Sequence, residues 1–452
     1  MDLNWQKALE DANLIFQAAL RRVDPLAMMG RCLSLEASDL VVRTDCEEAR
    51  ICLDQFEQVL LLGMGKAAAR MALGVEKILG GRITRGLVAV KQGCAENLSG
   101  VSILECGHPL PDRRSTIAAK RFLALGQDAD ERTLALVLIS GGGSAALCAP
   151  RQGLSLAEKM ETTKLLISCG ATIQEINCVR KHLSAIKGGQ LAKALAPATV
   201  VSLILSDVIG DDPDAIASGP TVADPTTFND CIEIIRRYGL EDQIPRNILH
   251  YLRSGASGKQ PETPKPGDRI FTRTKNFLIG TNRQALFAGK ARAQQLGYAA
   301  LVLTSRLTGE AKEAALMILG IGKDIASWGF PLQRPACVLL GGETTVTLRG
   351  TGKGGRNQEM ALAFLAALQR SPKDAEGLLF FSASTDGTDG PTDAAGAFAS
   401  SSLLARAQLA GLNPEDFLRN NDSYHFLDAC AGLVRTGPTK TNVCDIQILL
   451  AP

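Results

Sequence analysis

The sequence is poor in the residues that build metal centres and catalytic bases. It has four histidines, and its twelve cysteines are scattered, with no C-x-x-C pair and no clustered Cys/His spacing. This distribution argues against a zinc or iron–sulfur site, and it favours buried, reduced thiols. It therefore indicates a protein of the reducing cytoplasm.

The sequence also has no strong charge of either sign and no long apolar run. The formal net charge is +2, so a basic face for nucleic acid is not expected. No apolar run approaches the ~18 residues that a membrane span needs. The composition predicts a protein that works on small molecules, without nucleic acid or membrane partners, and leaves a homo-oligomer open.

Apolar segments of strand length alternate with helical ones along most of the chain. The strand-like runs, such as LALVLIS before SLAEKMETTKLLI, are continuously apolar, which is typical of a parallel α/β sheet covered by helices on both faces. An amphipathic packing helix opens the chain, with Trp5, Leu9 and Phe16 on one stripe. Residues 253–275 are rich in Gly, Pro, Ser and Lys, which predicts domains at 1–252 and 276–452 joined by a linker.

Glycine-rich loops follow several predicted strands, at the edge where open α/β sheets bind ligands. In GMGKAA (63–68), free N–H groups and a helix N-terminus would favour an anion, and Lys66 would add a positive charge. Gly63 and Gly65 also fit a dinucleotide turn, but the next strand ends in Lys91 instead of the acid that would hold a ribose. A close helix-to-strand crossing with Lys66 solvated is the structural alternative.

The loop SGGGSA (140–145) has three consecutive glycines between two serines. Gly141, Gly142 and Gly143 can form an anion-binding nest, with the hydroxyls of Ser140 and Ser144 as donors. A nucleophilic Ser144 is the competing interpretation, but the loop is not G-x-S-x-G and no histidine is placed by sequence as its base.

Two further stretches carry clustered cations. GTGKGGRNQE (350–359) places Lys353 and Arg356 among glycines at the start of a helix, as in a phosphate or carboxylate site, although an exposed turn is an alternative. The stretch NCVRKHLSAIKGG contains Arg180, Lys181 and Lys187, and a solvated helix face accounts for most of its charge.

Acidic loops complete the set. Asp207 lies in SDVIGDD and Asp386 in STDGTDG, and crowded carboxylates repel unless they are solvated, paired or bound to cations. Mg²⁺ takes one or two carboxylates together with substrate phosphates. Cationic glycine loops beside aspartate loops therefore suggest Mg²⁺-assisted phosphoryl transfer to a small anionic acceptor.

Taken together, GMGKAA, GHPLPD, LISGGGSA, INCVRKHLSAIKGGQLA, LILSDVIGDDPDAIASGPT, GGETTVTL, GKGGRNQE and STDGTDGPTDAAGA resemble the glycerate 2-kinase family whose C-terminal half is the MOFRL domain. The resemblance implies ATP-dependent conversion of (R)-glycerate to 2-phosphoglycerate. It also implies two α/β domains, a Rossmann-like N-terminal one and a smaller C-terminal MOFRL domain, with the active site in the cleft between them. The family's catalytic Lys and Arg fall on Lys66 and Arg356.

The resulting hypothesis assigns a role to each cluster. Lys66 and Arg356 would neutralise the migrating phosphoryl group, and Asp207 or Asp386 would hold Mg²⁺. The predicted substrate- and phosphate-binding residues are Gly63, Gly65, Ser140, Gly141, Gly142, Gly143, Ser144, Arg180 and Lys353. An NAD(P)H-dependent hydroxypyruvate reductase is the main alternative, and a non-catalytic binding protein is a third.

Overall fold

A computed structural model describes residues 3–373 and 375–452, and the chain divides into two compact units. The central unit is Pro25–Ile279, and the C-terminal unit combines Met1–Asp24 with Gly280–Pro452. The helices are α1 (Leu3–Arg22), α2 (Pro25–Cys32), α3 (Ala68–Leu79), α4 (Arg113–Gln127), α5 (Gly143–Ala146), α6 (Leu156–Ser168), α7 (Ile173–His182), α8 (Gln190–Leu195), α9 (Phe228–Arg237), α10 (Arg246–Ala256), α11 (Asn282–Gln295), α12 (Ala311–Trp328), α13 (Arg356–Arg370), α14 (Ser401–Leu409), α15 (Pro414–Arg419) and α16 (Ser423–Ala429). The strands are β1 (Leu33–Glu36), β2 (Asp39–Arg43), β3 (Glu48–Cys52), β4 (Gln58–Met64), β5 (Arg85–Lys91), β6 (Ser102–Cys106), β7 (Thr133–Ile139), β8 (Thr199–Leu205), β9 (Thr274–Gly280), β10 (Ala299–Leu307), β11 (Ala336–Gly342), β12 (Leu379–Ser384), β13 (Gly396–Ser400), β14 (Leu433–Val434) and β15 (Asp445–Ala451).

The central unit is built on a six-stranded sheet in the order β6-β5-β4-β7-β8-β9. The pairs β6–β5, β5–β4, β4–β7 and β7–β8 are parallel, and every residue of β7 is buried, as its continuous apolarity predicts. The chain runs outward from β4 through β5 to β6 and then returns to β7 on the other side of β4. The strand order therefore reverses between β4 and β7, where open α/β sheets bind their ligands.

Local sequence signals start the helices of this unit. Four helices begin with a capping box, in which the side chain of the N-cap residue accepts from the backbone N–H of the third helical residue and the side chain of that residue accepts from the N-cap N–H. The N-cap residues are Asp112 for α4, Ser155 for α6, Thr172 for α7 and Thr227 for α9. The strands β1, β2 and β3 form a separate antiparallel sheet. The predicted α/β fold with a parallel sheet flanked by helices is confirmed.

The C-terminal unit has a mixed six-stranded sheet in the order β10-β11-β15-β12-β13-β14. Helix α1 belongs to this unit, although the predicted boundaries assign its residues to the first domain. Phe16 of α1 packs against Phe381 of β12 with ring centroids 5.3 Å apart and ring planes tilted by 51°, and Tyr298 Oη donates to Asp11 Oδ2 at 2.9 Å. The first helix is thus a packing helix, as expected, but of the C-terminal unit.

The segment 253–275, expected to be a linker, is bonded into the central unit. Thr263 Oγ1 donates to Asp224 Oδ2 at 2.9 Å, and the backbone N–H of Phe228 donates to Glu262 Oε1 at 2.9 Å. Strand β9, expected to begin the second domain, lies beside β8 at the edge of the central sheet. The boundary between the units accordingly falls at residues 279 and 280. Among the described residues, no helix is long and apolar enough to cross a membrane.

Candidate functional site

The two glycine loops predicted for β4 and β7 form one structure at the point where the strand order reverses. Lys66 N–H donates to Gly141 O at 2.8 Å, and Ala67 N–H donates to Ser140 Oγ at 3.1 Å. Gly65 has φ +109°, and a Cβ there would lie 2.3 Å from Ser140 O. Glycine is therefore required at 65 by both its backbone conformation and the close approach of the second loop.

The GMGKAA turn does not offer the free N–H groups that its sequence suggested. Gly65 N–H donates to Ala89 O at 3.0 Å, and the next two amides are bonded to the SGGGSA loop. At Gly63 a Cβ would lie 3.1 Å from the side chain of Val88, so this glycine permits close packing of β4 on β5. The expectation of a backbone anion cradle at Gly63 and Gly65 is wrong, and the turn instead fixes the position of Lys66.

The SGGGSA loop brings a cation, an imidazole and a carboxylate together. A Cβ at Gly142 would lie 3.0 Å from the ring of His108 and 3.3 Å from Lys66 Cγ. At Gly141 a Cβ would lie 2.0 Å from Asp207 Oδ2, so no side chain fits between the loop and this carboxylate. Within residues 3–373 and 375–452, the amides of Gly141 and Gly142 have no backbone acceptor, as an anion nest requires.

The hydroxyl of Ser144 is bonded to a second hydroxyl, which is itself bonded to an amide. Its Oγ lies 2.8 Å from Ser218 Oγ, which donates to Asn177 Oδ1 at 3.0 Å. A nucleophilic serine needs a base within hydrogen-bond reach, and Ser218 is not one. The arrangement therefore supports a binding role for Ser144. Ser140 has a structural role, because its Oγ is 3.4 Å from Met64 O and accepts from Ala67.

A cavity of about 770 Å³ opens beside Gly142 and Ser144 and is lined by four cationic side chains, Lys159, Lys164, Arg180 and Lys187. Lys187 Nζ donates to Ser144 O at 2.9 Å, and Lys159 Nζ donates to Leu183 O at 3.4 Å. Their side chains are buried, at 3% and 4% exposed. In the part of the chain that the structure describes, neither ammonium group forms a salt bridge with a carboxylate.

Burial lowers the pKa of Lys159, and it lowers the pKa of Lys187 well below its ordinary value, with repulsion from Lys159 contributing. Burial also lowers the pKa of Arg180. A bound anion would restore the charged state of these groups, because it supplies the opposite charge that the surrounding residues do not. The cluster thus has the electrostatics of an anion site.

The charges of α7 do not form the solvated face that the sequence suggested. Lys181 and His182 are 2% and 0% exposed. Lys181 Nζ bonds to Asp214 and lies 3.3 Å from Asp224 Oδ1, and His182 Nε2 lies 3.0 Å from Glu262 Oε2. The expectation was wrong because these groups pair inside the unit with acids that are distant in sequence.

The structure also assembles a cysteine–histidine cluster that the spacing did not reveal. Ligand atoms of Cys178, His182 and Cys231 lie within 4.8 Å of one another, and the two Sγ atoms are 3.5 Å apart. Both imidazole nitrogens already have hydrogen-bond partners, Cys178 O at 2.9 Å and Glu262 Oε2 at 3.0 Å. A metal ligand must give up one of these bonds, so the geometry fits a structural histidine.

In the C-terminal unit, Arg356 begins α13 and is held by two acids. Its Nε and Nη2 donate to Asp445 Oδ2 and Oδ1 at 2.5 and 2.9 Å, and its Nη1 lies 2.8 Å from Glu343 Oε1. Burial disfavours the guanidinium charge, but the hydrogen bonds to Asp445 and the negative charges of Asp445, Glu343 and Asp389 together outweigh it and raise the pKa of Arg356. The guanidinium is therefore oriented and fully charged.

The N-terminus of α13 is occupied from within the unit. Asp389 accepts from the N–H groups of Asn357 and Gln358 at 3.2 and 2.9 Å, and burial raises the pKa of Asp389 to about 6. Lys353 Nζ lies 4.4 Å from the centroid of the Tyr424 ring. The expectation of an anion on this helix N-terminus is therefore wrong, because a carboxylate of the acidic loop already caps it.

The two predicted metal ligands differ in their surroundings. Asp207 faces the glycine loop of the central unit, next to Gly141. Asp386, in the C-terminal unit, accepts at Oδ1 from Ser384 Oγ and Thr388 N–H, both at 3.0 Å. Asp207 therefore lies beside the SGGGSA loop, whereas Asp386 is bonded within its own turn.

Sequence reasoning did not identify Lys159 or Asp445. Lys159 lies in a helix whose charges resemble those of any amphipathic surface helix, so no signal was available. Asp445 had a weak signal, since it is an isolated acid at the first position of a fully buried strand. An acid there requires a partner.

An α/β sheet has a glycine loop at the reversal of strand order, beside cations that form no salt bridge within residues 3–373 and 375–452. This arrangement defines a class, the phosphate-handling α/β enzymes. Residues 11–253 match a family described as a domain of unknown function (DUF4147), and residues 336–445 match the MOFRL family. The chain therefore belongs to the glycerate kinase family.

Individual relatives agree with this assignment. The glycerate 2-kinase of Pyrococcus horikoshii is 42% identical over 87% of both chains. The crystal structure of the glycerate kinase of Thermotoga maritima matches with a TM-score of 0.85 and 36% identity, covering 99% of this chain and all of that one. A putative hydroxypyruvate reductase of Agrobacterium vitis is 42% identical over 86% of both chains.

Proposed function

We propose that this protein is a glycerate 2-kinase, which transfers a phosphoryl group from ATP to the 2-hydroxyl of (R)-glycerate and releases 2-phosphoglycerate and ADP. The observation that carries the proposal is that Lys66 lies against the SGGGSA loop. The nearby cations Lys159, Arg180 and Lys187 form no salt bridge with a carboxylate of the described residues. Family membership supports the same reaction.

In this proposal Lys66 neutralises charge on the migrating phosphoryl group, because the two glycine loops fix its backbone at the end of β4. The amides of Gly141 and Gly142 and the side chains of Ser144 and Arg180 bind anionic oxygens. Arg356 is the second catalytic cation. Its bidentate bond to Asp445 fixes the orientation of its guanidinium.

Mg²⁺ would lie at Asp207, with Asp386 as the alternative ligand, and when bound it would supply neutralisation of the phosphate oxygens. The proposed partners are the small molecules glycerate and ATP, and the proposed compartment is the cytoplasm. A homo-oligomer is compatible with the proposal.

The second candidate is an NAD(P)H-dependent hydroxypyruvate reductase, the printed name of one relative. Two observations disfavour it. Strand β5 ends at the exposed Lys91, where a ribose-binding acid would be needed, and the amides of the GMGKAA turn are bonded to the protein.

The test is ³¹P NMR of the protein with ATP, Mg²⁺ and (R)-glycerate, alongside a tube of NADH, NADPH and hydroxypyruvate followed by absorbance. The kinase predicts a 2-phosphoglycerate signal with stoichiometric ADP and unchanged nicotinamides. A 3-phosphoglycerate signal would overturn the acceptor position. Nicotinamide oxidation without phosphoryl transfer would replace the kinase by the reductase.

A further inference from the structure

The cavity of the central unit has two chemically different parts. Its inner part is cationic, with Lys159, Lys187 and Arg180 close to Gly142 and Ser144. Its outer part is largely apolar and includes Leu110, which is 64% exposed, and Ile167, which is 58% exposed. The exposed Lys164 also lies on this wall. Exposed apolar side chains at the mouth of a charged cavity are typical of a site for a ligand with one apolar end and one charged end.

Helix α6 contributes to both parts along a single face. Lys159, Thr163 and Ile167 line the cavity at the four-residue spacing of one helical face, and Met160 and Lys164 lie beside them. The helix therefore runs from the buried ammonium group of Lys159 to the exposed side chain of Ile167, and it spans the cavity from its charged to its apolar end.

The charge in the inner part exceeds what a small carboxylate needs. Arg151 adds to the repulsion on Lys159, and its Nε and Nη2 are buried without a hydrogen-bond partner among the described residues. One acid, the exposed Glu161, lies on the cavity wall. A cavity of about 770 Å³ is also far larger than a three-carbon acid and suits a nucleotide.

We infer that this cavity binds ATP, with the phosphates on Lys159, Arg180, Lys187 and the SGGGSA loop and with the adenine against Leu110, Met160 and Ile167. The inference rests on the proposed kinase function and locates the nucleotide in the central unit. The terminal phosphate lies at the Gly142 end, because Lys66 reaches Gly142 from the GMGKAA turn.

The test is calorimetric binding of three probes, ADP, inorganic tripolyphosphate and (R)-glycerate, to the full chain. The double variant Leu110→Ser/Ile167→Ser changes only exposed side chains of the cavity mouth, and Arg180→Ala removes one cation. Ile117→Ser, which is 43% exposed on α4, and Arg236→Ala, which is exposed on α9, are matched controls outside the cavity.

We expect the mouth variant to weaken ADP binding about tenfold and to leave tripolyphosphate binding unchanged, because only the base loses apolar contact. Arg180→Ala should weaken both ADP and tripolyphosphate by about tenfold or more. Neither change should alter glycerate binding, and the control variants should bind all three probes as the wild type does.

Unchanged ADP binding in the mouth variant would overturn the inference, and so would an Arg180→Ala variant that weakens glycerate binding alone. If Arg180→Ala does not fold, the comparison of ADP with tripolyphosphate binding in the mouth variant still tests the inference. Because binding needs no turnover, the two proposals fail separately. If the variants bind the probes as expected but the protein transfers no phosphoryl group to glycerate, the kinase proposal is wrong and the nucleotide site stands. If the protein transfers the phosphoryl group but the variants do not show the expected binding, the nucleotide site is wrong and the kinase proposal stands.

Discussion

Replacing Arg356 with methionine should destabilise the C-terminal unit independently of any catalytic role. Asp445 is fully buried and Arg356 Nε and Nη2 are its side-chain partners, so the substitution leaves an unpaired carboxylate in the interior. Breaking a buried ion pair from one side costs about 3–5 kcal/mol. We expect a loss of that size in the free energy of unfolding.

Substitution of Asp445, the other member of the ion pair, provides a control with a smaller expected loss of stability. In Asp445→Asn, Arg356 keeps Glu343 at 2.8 Å and its side chain is 28% exposed, so the remaining charge is partly solvated. The loss in the free energy of unfolding should therefore be smaller than in Arg356→Met. In the double variant no unpaired charge is buried, so stability should recover relative to Arg356→Met.

The chain offers a direct assay for this unit. Its two tryptophans, Trp5 and Trp328, both lie in the C-terminal unit. Urea unfolding followed by tryptophan fluorescence therefore reports on the unit that contains the pair. A loss below about 1 kcal/mol in Arg356→Met, with no recovery in the double variant, would refute the structural role. Activity of Arg356 variants is interpretable only after this measurement.

Three further outcomes are expected. Lys66→Ala should lower kcat/KM by a factor corresponding to about 3–4 kcal/mol, since it removes one charged donor from the transition state, and steady-state kinetics with nearly unchanged kcat/KM would contradict this. The raised pKa of Asp389, about 6, means that its contribution to stability is fully present below about pH 4 and is lost as pH rises through 6. The stability of the wild type relative to Asp389→Asn should therefore fall by about 3 kcal/mol between pH 4 and 7, and a flat difference in urea titrations would rule out a titrating Asp389. Thr227→Ala should cost about 1 kcal/mol by removing the capping bond to Asp230 N–H, measurable as a lower urea midpoint, whereas an unchanged midpoint would show that the cap is not needed.

Sequence by itself determined the local structure of the site. Continuous apolar runs gave buried parallel strands such as β7, because both faces of such a strand are covered. The glycines of GMGKAA and SGGGSA marked the strand ends where two loops meet, and Gly65 has the positive φ that a tight turn needs. The ordered motifs also identified the family.

Only the tertiary structure decided which residues pair over long sequence distances. Helix α1 packs in the C-terminal unit, where Phe16 contacts Phe381, a contact that no local pattern encodes. Asp389 caps α13, and Lys159 is buried in the wall of the cavity of the central unit. Burial and partners follow from how elements pack, and a lysine on an amphipathic helix has the same local sequence whether its side chain meets water or a cavity.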